Sequence, residues 1–130
     1  MSAAPLFAEG SANLPSKHSV KETIDRLQAL LEAKGIKVFL RLDQAAEARA
    51  AGLSMPDTEL LVFGDPRAGT PLMVKFPSVA LDLPVKALAW ESADQTVFLS
   101  TNTPAYLMAR HHLPAPPLAA LAGLFLAATQ

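Results

Sequence analysis

The sequence predicts an α+β fold: a two-layer sandwich in which helices cover a mostly antiparallel sheet, built as a single domain. Three observations lead there. The length of 130 residues is that of one ordinary domain. Apolar spacing changes between helical and strand periods without the strict alternation of a doubly wound sheet. Prolines at 56, 66, 71, 77, 84 and 104 forbid long helices in the second half and divide it into short elements.

The elements follow in order. Residues 5–14 read as a first strand. Ser19 followed by Glu22 forms a capping box, each side chain meeting the other's free backbone N–H. Val20, Ile24, Leu27 and Leu31 then recur at helical spacing, and Gly35 stops the helix. Ile36 to Leu42 alternates as a strand with one drier face, and Asp43 caps a short alanine-rich helix ending at Gly52. Glu59 to Phe63 is a short apolar run, read as a buried strand. Thr70-Pro71 and Thr103-Pro104 each place a capping hydroxyl before a proline at the first helical position, predicting helices over 71–76 and 104–112. Between them Val85–Glu91 and Thr96–Thr101 read as strands joined by a turn at 93–95, an antiparallel hairpin.

Composition adds a constraint. Hydrophobic residues make up 51% but charged ones only 18%, against about 25% in typical soluble chains. Part of the surface is therefore apolar, and a second subunit is the simplest cover, so a homodimer is expected. The tail carries the thinnest charge: Leu113 to Gln130 has none. There, 118–129 reads as an apolar helix with Ala119, Gly123 and Ala127 along one stripe and Leu118, Leu121 and Phe125 facing inward. Prolines 114, 116 and 117 leave it at about 18 Å, too short for about 30 Å of hydrocarbon, so no membrane span is expected. It sits at a dimer interface or caps the core. The absence of cysteine excludes a disulfide scaffold and a zinc–cysteine site and is compatible with the cytoplasm. A net charge of −1 gives no general attraction to nucleic acid or anionic lipid. Met1–Gly10 lacks both a basic residue and a continuous apolar stretch, so it is not a secretory signal.

Three segments hold groups that can do chemistry. Gly64 to Pro71 leads from a strand into a helix N-terminus, where free N–H groups, Thr70 and Arg67 suit a carboxylate or phosphate; a tight strand-to-helix turn explains the same glycines. Asp82 and Lys86 stand in the apolar run LDLPVKALAW, where an ion needs a partner. Lys86 is either a pocket lysine for an anion or half of a structural ion pair with Asp82, Asp65 or Glu91. In the helix from Pro104, Tyr106 and Arg110 share a face and suit a planar anion. His111 or His112 there suits a haem or soft metal, or simply caps the helix end. No nucleophile elbow, cysteine nucleophile or His-Glu-x-x-His appears, so no catalytic residue is assigned.

FGDPRAGTPLM at 63–73, LDLPVKALAW at 81–90 and NTPAYLMARH at 102–111, preceded by SVKETIDRL at 19–27, resemble in order and spacing the domain-of-unknown-function family 302. The resemblance covers about 14–113. It implies a small α+β domain, a sheet covered by helices, a dimer, and no settled activity. Among its pattern residues, Asp82, Lys86, Arg110 and His111 carry reactive groups. The chain departs from the pattern at Gln44, where relatives often have histidine, and at Thr101 and Thr103, which flank Asn102. A relative's histidine chemistry at 44 is therefore not exported here. The functional expectation is a dimeric accessory protein binding a small anionic or planar molecule between Lys86, Arg110, His111 and the 64–70 loop. The alternatives are a haem protein using His111 or His112, and a purely structural or partner-docking dimer.

Overall fold

The computed structural model describes residues 6–117 and 121–130. Its centre is a five-stranded sheet in which every neighbouring pair is antiparallel. The strands are β1 (Ser11–Ser16), β2 (Lys37–Asp43), β3 (Thr58–Gly64), β4 (Val85–Glu91) and β5 (Val97–Asn102), in the order β1-β5-β4-β3-β2. From β2 to β5 the sheet is thus a meander, and β1 closes its far edge on β5. The α+β sandwich is as expected.

Helix α1 (Val20–Ala33) supplies the second layer. Ser19 Oγ accepts from the Glu22 N–H at 3.1 Å, which is one half of the expected box, while the Glu22 carboxylate lies 3.6 Å from His18 Nδ1. Val20, Ile24, Leu27 and Leu31 are at most 2% exposed, each burial contributing about 1.5–3 kcal/mol. They lie on Leu61, Phe63, Val85, Ala87, Ala89 and Leu99, the inward side chains of β3, β4 and β5. Helix α2 (Gln44–Ala50) starts at Asp43, whose carboxylate accepts from the Ala46 N–H at 2.9 Å. Helix α4 (Pro104–His111) starts at Thr103, whose hydroxyl accepts from the Tyr106 N–H at 3.1 Å.

Three boundaries move. The first strand begins at Ser11, because Gly10 adopts φ +75° and its bare Cα lets the Tyr106 ring close over it. Helix α3 spans Pro66–Lys75, not 71–76: Asp65 caps it by accepting from the Arg67 N–H, Pro66 occupies the first turn, and Thr70 and Pro71 fall inside. The competing cap lay five residues earlier and won. At the tail, α5 covers Ala122–Thr129. Ala119 and Leu118 lie outside the described residues.

Helix α5 caps the core. Leu121 and Ala128 are buried, Leu124 and Phe125 pack on the cluster, and Phe125 meets Phe63 edge to face at 6.2 Å. Its last carbonyls, which no helical N–H can reach, accept from Arg26: Nε to Ala128 at 3.1 Å, Nη2 to Ala127 at 3.0 Å and to Gln130 at 3.1 Å. Gly123 and Ala127 of the small-residue stripe face outward, as does Leu126. A helix apolar all round is here buried on one side only.

Candidate functional site

Strand alternation decides where the sequence's reactive residues go. In β4, Val85, Ala87 and Ala89 turn inward, so Lys86 turns out to the other face of the sheet and is exposed. It is not the partner of Asp82. The apolar run that made Lys86 look buried reflects a sheet whose second face is itself apolar.

Asp82 follows a short 3-10 helix, Pro77–Leu81, that joins α3 to β4. Its carboxylate is only 10% exposed and is answered twice. Arg110 Nη1 donates to both oxygens at 3.2 Å, and His111 Nε2 lies 2.5 Å from Oδ2. The His111 ring is 3% exposed, and its other nitrogen, Nδ1, lies 2.8 Å from Ser78 Oγ. A hydrogen bond to the carboxylate requires a proton on Nε2, and a ring carrying that proton alone accepts the Ser78 hydroxyl at Nδ1. Ser78 was not legible in the sequence: it sits 33 residues from His111, in a segment with no motif of its own.

Ser78, His111 and Asp82 thus form a line with the connectivity of an acyl-transfer triad. Its electrostatics differ. The Arg110 guanidinium already neutralises the carboxylate that would have to support an imidazolium. The arrangement is a clamp: it fastens the 3-10 helix to the end of α4 through a carboxylate whose lone pairs are met on both oxygens. Both His111 ring nitrogens are engaged, so iron ligation there requires displacing Ser78 or Asp82. His112 is the exposed left-handed residue that ends α4. Among the described residues no group of three or more His, Asp or Glu is placed to hold a metal.

The 64–70 loop goes elsewhere. Gly64, Asp65, Gly69 and Thr70 line a cavity of about 430 Å³ whose other walls include Phe39, Leu72, Met73, Leu83 and Pro84, with Pro114–Pro117 beside them. Arg67 points away, 83% exposed, with Nε 3.2 Å from Asp65. The Arg67 backbone N–H and its guanidinium hold the Asp65 carboxyl below the usual aspartate range. Tyr106 packs its ring on Gly10, and Arg110 is engaged by Asp82. The expected single pocket therefore divides into an apolar cavity, a polar clamp, and Lys86 on the far side of the sheet.

Comparison with known proteins gives the chain its relatives. The model of the domain of unknown function DUF302 matches residues 12–123. A crystal structure of an uncharacterized conserved DUF302 protein from Bacillus stearothermophilus superposes with a TM-score of 0.76 at 19% identity, covering 94% of this chain and 97% of that one. Two Brucella proteins, from B. suis biovar 1 (strain 1330) and B. abortus biovar 1 (strain 9-941), are each 46% identical over 110 residues, 85% of this chain. Both bear the name Fluoride-specific ion channel FluC 1. The matched region is 43% of the first and 41% of the second, so the chain spans less than half the length of these curated relatives. Among the described residues no helix is long and apolar enough to cross a membrane. With a family model covering most of its length and the same strand-and-helix arrangement in a solved relative, the chain belongs to the DUF302 family.

Proposed function

We propose that the chain is an accessory binding module that takes a small, planar, largely apolar molecule into the cavity between α3, the end of β3 and Leu83–Val85. The observation that carries this reading is the cavity itself. At about 430 Å³ it is in the range of small-molecule sites, and its walls are aliphatic, aromatic and proline side chains. Asp65 is the charged residue among them, so the polar handle that suits the site is a hydrogen-bond donor, and an anion is disfavoured. In longer relatives that bear a channel's name, the same domain accompanies further chain. The module would then serve beside a conducting segment, not as one. Fluoride is itself a poor occupant, because a small anion stripped of water needs donors that apolar walls lack.

A thermal-shift screen tests the reading with uncharged and weakly basic planar heterocycles, planar carboxylates and sodium fluoride, against wild type and Leu83→Trp, which fills the cavity. A ligand at 100 times its Kd adds about 2.7 kcal/mol. A rise of several degrees with planar neutral compounds, absent in Leu83→Trp, is expected. Shifts that survive Leu83→Trp, or a shift with fluoride alone, overturn it.

A further inference from the structure

We propose that the sheet face opposite α1 and α5 is the interface with a second copy of this chain. Helices α1 and α5 pack on one face only. The other presents Leu40, Leu60, Val62, Leu88, Trp90 and Phe98, all half-buried or exposed. Phe7 leans on it, 5.1 Å from the Phe98 ring and 6.2 Å from Trp90.

Four polar side chains of this face are prepared to leave water because they satisfy one another: Trp90 Nε1 donates to Ser100 Oγ at 2.9 Å, Ser100 Oγ donates to Asn13 Oδ1 at 2.5 Å, and Asn13 Nδ2 donates to Ser11 Oγ at 2.9 Å. Burial would orphan none of them, and an orphaned donor is what makes polar burial costly. Size agrees as well. Five strands about 4.8 Å apart and six residues long present roughly 500 Å² in projection, so two copies cover about 1,000 Å² before side-chain relief is counted, the lower bound for a specific interface.

The charges select the occupant. Along the register, the strands place only Lys37 and Lys86 on this face, both at the end where β2 and β4 flank Val62 and Gly64. Trp90 and Phe98 form the opposite end. Lys37 Nζ already lies 5.0 Å from the centroid of the Phe39 ring, so the Lys86 ammonium is the one to be answered, and a partner of unrelated chemistry would have to bring a carboxylate for it. A second copy brings aromatic faces. A two-fold axis lying between the sheets and perpendicular to the strands lays the lysine end of each copy over the aromatic end of the other, where ammonium and ring attract. An axis along the strands would crowd four ammonium groups at one rim. The central row, Leu60 and Leu88, meets itself in either case.

Trp90 is the single tryptophan, so the unmodified protein carries its own reporter. Light scattering on a sizing column should give twice the chain mass, and dilution from about 100 μM to 0.1 μM, a range that brackets weak to moderate dimer affinities, should red-shift the Trp90 emission as the dimer parts. Leu88→Lys should be monomeric with an unchanged far-UV spectrum and a Trp90 emission already red-shifted at high concentration. Lys86→Glu should weaken the dimer by about three- to ten-fold through loss of the ammonium–ring contact. A wild-type monomer at 100 μM overturns the proposal. So does a dimer whose dissociation leaves Trp90 emission unmoved, a result that holds even if Leu88→Lys fails to fold.

Discussion

Adding one methyl group at Gly69 should stabilise this protein, while adding the same group at Gly10 should damage it. Gly69 is the fourth residue of α3, and a Cβ built there meets Leu83 Cδ1 and Met73 Cε, each at 3.8 Å, ordinary contact distances. A helix gains about 1 kcal/mol when glycine becomes alanine; Pro71 two residues on weakens this stretch, so about 0.5–1 kcal/mol is expected. Gly10 has φ +75°, and its Cβ would fall 2.1 Å from Tyr106 Cδ1. Left-handed backbone costs a non-glycine residue of order 1–3 kcal/mol and a displaced ring about as much again, so Gly10→Ala should lose about 2–4 kcal/mol. The unfolded chain loses the same freedom in both variants, so the difference between them isolates native geometry. Urea unfolding of the pair reads that difference directly, and for a chain of this length about 3–5 °C in Tm accompanies each kcal/mol. Two variants that move in the same direction would refute the placement of either α3 or the Gly10–Tyr106 contact. Because Leu83 and Met73 both line the cavity, Gly69→Ala should also weaken whatever ligand fills it, despite the more stable fold.

Other perturbations separate the clamp, the tail and the surface charges. Asp82→Asn removes the charge that gathers Arg110 and His111 and should cost about 1–3 kcal/mol in urea unfolding; a loss below about 0.5 kcal/mol would mean the cluster is no better than water. Ser78→Ala should cost less, because solvent can replace an exposed hydroxyl at Nδ1. Arg26→Ala should cost about 1 kcal/mol and, more tellingly, speed amide exchange across α5, which an unpinned helix end requires and a merely decorative arginine would not produce. The Asp25 carboxyl is held below the ordinary aspartate value of 3.8 by hydrogen bonds from Lys21 and Arg41. Its contribution to stability is therefore fully present above pH 3.8 and is lost as pH falls through the lower folded value. An NMR titration should find that midpoint below 3.8, and Lys21→Met should move it upward; no movement would place Lys21 off the carboxylate.

How much was legible follows from how local each signal is. Ser19, Asp43 and Thr103 each cap a helix by reaching an N–H three residues on, so the starts of α1, α2 and α4 could be read within a few residues of sequence. The same rule misled at Thr70-Pro71, because Asp65-Pro66 satisfied it first and closer to the end of β3. At the site, Asp82 in an apolar run correctly demanded a partner. Which partner was not readable: Arg110 and His111 come from a helix 28 and 29 residues away, and only the path of the 3-10 helix brings them together. The cavity was less legible still, since its walls come from β2, α3, the 83–85 segment and the prolines after α4, and no single stretch carries their pattern.

The deficit of charge also has a different home from the one the sequence suggests. The uncharged tail invites its assignment to the last helix, and α5 does cap the core. Yet what α5 turns outward is mainly Ala122, Gly123 and Ala127, with Leu126 alone large. Such small side chains expose little apolar area, and a small-residue stripe by itself repels no water that a neighbour must relieve. The open sheet face exposes leucine, valine, phenylalanine and tryptophan over four adjacent strands, β2 to β5, and hydrophobic gain scales with apolar area removed from water, about 25 cal/mol per Å². The proposed dimer would cover that second face with its like. In the dimer we propose, Trp90, fixed by Ser100 at the aromatic end of that face, is a packing residue of the assembly, and its half-burial in the single chain is the mark of a face left open.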